Sequence, residues 1–144
     1  MSSFANADLR LDLPEGWIDR SMLVWSAPPG EGGGTPPNVV ISYDQMKVGE
    51  QLAGYVTRQT DSLRAALDQW TLIEQGATRV GGKPAIAVRF TWRMAHGLMM
   101  QRQIFVELGK LRIASIGCTA GSENFDACDR RWFAPILDSI RLKE

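Results

Sequence analysis

The sequence predicts an α+β domain, a mostly antiparallel β-sheet packed with a long helix and a C-terminal helix, and three observations predict it. Between residues 71 and 120, four apolar-rich segments are separated by short turns containing glycine. Residues 49 to 70 repeat apolar side chains at the helical period, and short segments of alternating polarity come before them. The 144 residues suit one core, since single domains span about 100 to 150 residues. Residues 1–144 are therefore read as a single domain of order β-β-β-α-β-β-β-β-α, in which strands and helices are segregated.

The first strand is LRLDLP, where Leu9, Leu11 and Leu13 alternate with Arg10 and Asp12 and predict one buried face. After the turn Glu15-Gly16-Trp17, SMLVWSA reads as a second strand, with Met22 and Val24 on one side and Leu23 and Trp25 on the other. Its apolar character on both sides predicts that both faces are covered. Glycine and proline crowd PPGEGGGTPP, residues 28 to 37, so this stretch is a flexible loop. NVVISYD follows as a third strand, setting Asn38, Val40 and Ser42 opposite Val39, Ile41 and Tyr43.

The helix runs from Gly49 to about Trp70 and carries Leu52, Val56, Leu63 and Leu67 on the stripe that packs on the sheet. TLIEQGATRV, AIAVRFTWRM, LMMQRQIFVEL and LRIASIGCTA then form a four-strand meander. Its turns fall at Gly81-Gly82-Lys83-Pro84, His96-Gly97 and Gly109-Lys110. A last helix starts with Ser122 as N-cap and turns Phe125, Trp132, Phe133, Ile136 and Leu137 toward the core, with Pro135 as a possible kink.

Composition narrows the function. Sixteen basic and sixteen acidic residues cancel, so no global field draws the chain to nucleic acid or an anionic membrane. The N-terminus lacks a positive region followed by an apolar one, and no stretch approaches the roughly 20 apolar residues of a membrane helix. A cytoplasmic protein without direct membrane insertion is expected. Cys118 and Cys128 are too few for a disulfide framework and lack metal-ligand spacing, so they read as reduced structural thiols.

Catalysis needs a nucleophile, base or metal in convergent positions, and the inventory is thin. The single histidine, His96, sits in a turn. EGGGTPP lacks the Lys-Ser/Thr and the helix start that a phosphate cradle requires. Asp44, Glu50, Asp61, Glu107 and Asp126 are scattered singly, without a metal-binding spacing. No catalytic, cofactor or metal residue is assigned, and the five tryptophans do not interleave with basic residues as a nucleic-acid groove would require.

What stands out is a set of neutral amides and hydroxyls on apolar faces. Residues two apart in a strand share a face, so Gln101 and Gln103 align with Met99 and Phe105, while Met100, Ile104 and Val106 point the other way. On the helix, Gln59 falls within roughly 60° of Leu52, Tyr55, Val56 and Leu63. Asn38 and Ser42 flank Val40. A buried amide without partners costs about 1 to 3 kcal/mol, so these groups are paired internally, wetted, or kept for a partner. Methionine and valine mixed with neutral hydrogen-bonding groups suit a surface that shelters an apolar helix.

In order along the chain, DLRLDLPEGWIDRS, NVVISYD, YVTRQ, GKPAIAVRFTW, LMMQRQIFVE and ILDSIRL resemble the DcrB-like (DUF1795) family, and within it the effector-associated (Eag) chaperones of type VI secretion. The likeness spans nearly the whole chain. It implies a Mog1/PsbP-like fold, a homodimer, and neither enzymatic activity nor a cofactor. The implied role is to hold the N-terminal transmembrane helices of a PAAR-type secreted effector in soluble form until it is loaded on the spike. By similarity the apolar grip falls on Met22, Val24 and Val40, and the polar grip on Asn38, Ser42, Gln59 and Gln103. Asn38 stands where other members carry a smaller hydroxyl. Gln101 joins the set from its shared face with Gln103. Two other readings compete: an interaction module of the same fold for a soluble partner, and a small-molecule site or enzyme built around a deep pocket with His96, Arg89 or Arg93.

Overall fold

The computed structural model describes residues 2–5, by their backbone, together with 8–17, 20–28 and 35–143. Eight strands are formed: β1 Ser2–Ala5, β2 Arg10–Leu13, β3 Met22–Ser26, β4 Asn38–Gln45, β5 Thr71–Val80, β6 Lys83–Met94, β7 Gly97–Gly109 and β8 Arg112–Gly121. β1 and β2 make a separate antiparallel pair, with Phe4 opposite Leu11. The other six form one antiparallel sheet in the order β3-β4-β8-β7-β6-β5. Helix α1, Leu52–Ala66, crosses between β4 and β5.

Each face of the sheet has its own core. On one, Tyr55 and Val56 of α1 pack with Val88, Phe90, Phe105 and Ile113, and the Tyr55 ring meets Phe105 edge-on at 5.7 Å. On the other, Phe125, Cys128 and Phe133 cover Ile104, Val106, Ile116 and Cys118. Alternation along β7 and β8 feeds both layers, as side chains two apart must. Cys118 and Cys128 are free and buried, and burial pushes the Cys118 thiol up to about 12.

The meander is as expected, with its turns displaced. Gly81 and Gly82, both at positive φ, join Val80 to Lys83, the geometry a two-residue hairpin needs. The next two turns lie one residue away from their expected places. Ala95-His96 joins Met94 to Gly97, and Lys110-Leu111 joins Gly109 to Arg112. Gly109 instead ends β7 beside a register shift, which leaves Lys110 and Leu111 to take positive φ, at a cost of about 1 kcal/mol or more each.

Several expectations are corrected. β3 is exposed on both faces, Met22 by 61% and Trp25 by 55%, because it is an edge strand beyond the reach of α1, which packs over β6 and β7. Leu9 and Leu11 are likewise exposed, because β2 pairs with β1, which the sequence reading did not find, and not with the main sheet. Helix α1 is shorter than its apolar pattern, since Leu67 is already extended and Gln69 takes φ 51°. The C-terminal helix follows a 3-10 turn at Ser122–Asn124 and continues without a break in helical backbone from α2, Phe125–Cys128, through a π-turn at Asp129–Phe133 into α3, Ala134–Ser139. Ser122 makes no capping bond. The π-turn directly precedes α3, with Pro135 at its start, a place where the missing proline N–H is accommodated by locally altered helix bonding. Phe125 and Phe133 are buried, but Ile136 is 41% exposed. Most of the expected 28–37 loop lies outside the described residues.

Candidate functional site

Cross-strand register brings the singled-out strand residues together. One row across the sheet reads Met22, Ser42, Ser115, Phe105 and Ile86. The next reads Val24, Val40, Gly117, Gln103 and Val88, and the third Ser26, Asn38, Thr119, Gln101 and Phe90. These are consecutive same-side rows, because successive residues taken from each strand are two apart. They lie on the face that carries α1, as Phe105, Val88 and Phe90 pack with Tyr55 and Val56. Met22, Val24, Asn38, Val40, Ser42, Gln101 and Gln103 thus share one surface.

Gln59 joins them from the helix. Tyr55 donates from its hydroxyl to Asp44 Oδ2 at 2.7 Å, so its flank of α1 faces back toward β4. Burial first, and then this bond, raise the Tyr55 phenol above its ordinary range. The helix runs from Phe105, beside Tyr55, toward Phe90, where Trp70 packs at 5.6 Å. Gln59 lies one turn beyond Tyr55 on the same flank of α1 and is half-buried.

The polar members differ in how far they are satisfied. Thr119 donates to Gln101 Oε1 at 3.1 Å, Gln101 Nε2 donates to Gln103 Oε1, and Gln103 Nε2 donates to the Ser115 hydroxyl. The four side chains make one row over Gly117. A primary amide has two N–H groups, and each glutamine spends one of them here. Asn38, Ser42 and Gln59 are half-buried and make no side-chain hydrogen bond within the described residues. Met22 and Val24 are about three-fifths exposed, at 61% and 59%. The surface is therefore an open apolar margin on β3 beside a polar strip on β8 and β7, walled by α1.

Ser115, Gly117 and Thr119 were not singled out from the sequence. Their signal was present: in LRIASIGCTA every second residue from 115 to 119 is small or hydroxylated, while the alternate positions are Ala, Ile and Cys. Residues named for a small-molecule pocket do not converge. Arg89 lines a recess of about 200 Å³ on the opposite face with Glu74, Ala87 and Arg102. His96 is exposed in its turn and bonded to Thr35 at 3.0 Å, and Arg93 is exposed outside that recess. No group of three or more His, Cys, Asp or Glu among the described residues is placed to hold a metal. Among the described residues no helix is long and apolar enough to cross a membrane.

Comparison with known proteins gives the fold and the family. The crystal structure of PA94, a protein of unknown function from Pseudomonas aeruginosa, matches with a TM-score of 0.82 at 19% identity, covering 100% of this chain and 98% of that one. LpqN of Mycobacterium tuberculosis, involved in cell envelope biogenesis, matches at 0.59 and 12% identity over 88% of this chain and 85% of its own. The solution structure of cyanobacterial PsbP from Synechocystis sp. PCC 6803 matches at 0.52 and 8% identity over 90% and 96%. A search of curated proteins finds no match. The fold is thus PsbP-like, and since the DcrB family pattern matches residues 9–139, nearly the whole of what has just been described, the chain belongs to the DcrB family.

Proposed function

We propose that this protein is a protein-binding chaperone that shields the N-terminal transmembrane helices of a type VI secretion effector of the PAAR type before loading on the spike. The observation that carries the reading is the joining, on one face, of exposed Met22 and Val24 to Asn38, Ser42 and Gln59, whose side chains make no hydrogen bond among the described residues. Covering the exposed part of each apolar side chain contributes about 1 to 2 kcal/mol. The amides and hydroxyls add direction: they meet hydroxyls or bare carbonyls of an apolar helix without the desolvation cost of charge. Its place of action on this reading is the cytoplasm, as a homodimer, with no enzymatic step.

Co-expression with the hydrophobic N-terminal segment of an effector encoded beside the gene tests this. The expected outcome is a soluble complex that survives affinity purification and size exclusion. A segment that stays insoluble and fails to co-purify overturns the reading. A second reading, docking of a soluble partner, is favoured by β5, an edge strand exposed along all but its last residue, which could accept an extended segment as an added strand. It predicts capture of a partner lacking any apolar helix, insensitive to changes at Val24 or Gln59.

A further inference from the structure

Gly117 occupies the middle of a strand with no evident conformational need for glycine. Pairing runs unbroken through it, to Val40 on one side and Gln103 on the other. It is not among the glycines at positive φ. Glycine inside a strand weakens it, and where neither bulge nor turn explains it, something approaches the backbone closely. Here the approaching groups are the two amides. A Cβ on Gly117 would stand 2.8 Å from Gln101 Nε2 and 2.9 Å from Gln103 Oε1, closer than real Cβ atoms come to other heavy atoms.

We propose that Gly117 is the positioning residue of the binding face: its missing Cβ is the space in which Gln101 and Gln103 lie end to end between Thr119 and Ser115. The inference rests on the helix-binding reading and deepens it by naming the client feature selected. Each amide accepts one bond and donates one within the row, keeping a second N–H and a second carbonyl lone pair. The two unspent N–H groups are what the row offers as donors, and their complement is an acceptor. An apolar helix supplies one where a serine or threonine hydroxyl, or a carbonyl freed by a local break, interrupts its middle. A helix of alanine and leucine alone offers none.

The atoms a Cβ would meet are far ends of flexible side chains, so Gly117→Ala folds and moves the amides. Two synthetic 20-residue leucine-alanine helices serve as probes, one with a central Ser-Ser pair and one with Ala-Ala. The wild-type protein is expected to bind the serine helix about tenfold more tightly, a difference of 1.4 kcal/mol, and Gly117→Ala to lose that preference while still binding both. In a Gln101→Ala/Gln103→Ala background, Gly117→Ala is expected to add nothing, since it acts through side chains no longer present. The side-chain NH2 resonances of Gln101 and Gln103 are expected to shift in Gly117→Ala without any probe. Unmoved resonances, an undiminished preference, or a full effect in the amide-free background overturns the proposal. Wild-type protein that binds neither helix overturns the helix-binding reading itself, while the resonances still report whether Gly117 positions the amides.

Discussion

At the scale of single residues, Gln59 and Gln103 make opposite demands although both are half-buried amides on one face. Gln59 makes no side-chain hydrogen bond within the described residues, so Gln59→Ala breaks none there. Its stability is expected to change by about 0.5 kcal/mol or less. Gln103→Ala strands an N–H of Gln101 and leaves the Ser115 hydroxyl without its donor, a loss of about 1 kcal/mol. For a chain of this length that lowers the melting temperature by about 2–4 °C. Both variants are expected to weaken client capture, measured beside calorimetric melting. A larger fall for Gln59→Ala than for Gln103→Ala refutes the assignment. The faces of Gln101, Gln103, Asn38 and Ser42 were legible because a strand alternates strictly. That Gln103 stands opposite Gly117 was not legible, because register between strands depends on turns and bulges, and two of those turns lie one residue from where the sequence placed them.

At the scale of elements, the start of α1 is held by an ion pair rather than by a cap. Gln51 makes no capping bond. Instead Glu50 accepts from Arg58 Nε at 3.0 Å and Nη2 at 2.9 Å, and from the Lys47 N–H at 3.0 Å. The Arg58 bonds, then the Lys47 bond, hold the Glu50 carboxyl down to about 2. A carboxyl lowered on folding stabilises above its unfolded value and loses that contribution as pH falls toward the folded one. Wild-type stability is thus expected to fall between the ordinary glutamate range and pH 2 partly through this group, and Glu50→Gln to flatten that part of the curve. Urea unfolding at successive pH values checks it, and an unchanged slope in Glu50→Gln excludes the pair as a source. The existence of α1 was legible from Leu52, Val56 and Leu63; its early end was not. Leu67 and Trp70 continue the apolar period, yet they pack on the same core from an extended segment, and periodicity alone does not distinguish the two.

At the scale of the whole molecule, the open face is too small for the proposed client. It spans β3, β4, β8 and β7, about 19 Å at the usual strand spacing, whereas an apolar segment of about 20 residues is roughly 30 Å long. A second copy set edge to edge doubles the width, and β3 is equipped for it. The sequence Met22-Leu23-Val24-Trp25 carries none of the lysine, proline or bulge that normally blunts an edge. Two such edges pairing about a two-fold axis satisfy each other's free backbone groups and join two binding faces. Light scattering after size exclusion is therefore expected to give twice the mass of one chain. Leu23→Lys with Trp25→Lys is expected to halve it while leaving circular dichroism unchanged. These two side chains are exposed and lie on the side opposite Gln103, so any loss of client capture in the variant follows from separating the copies rather than from damage to the face. A wild-type monomer that captures its helix, or a lysine variant that stays paired, removes β3 from the interface and leaves the client to be held by one face alone.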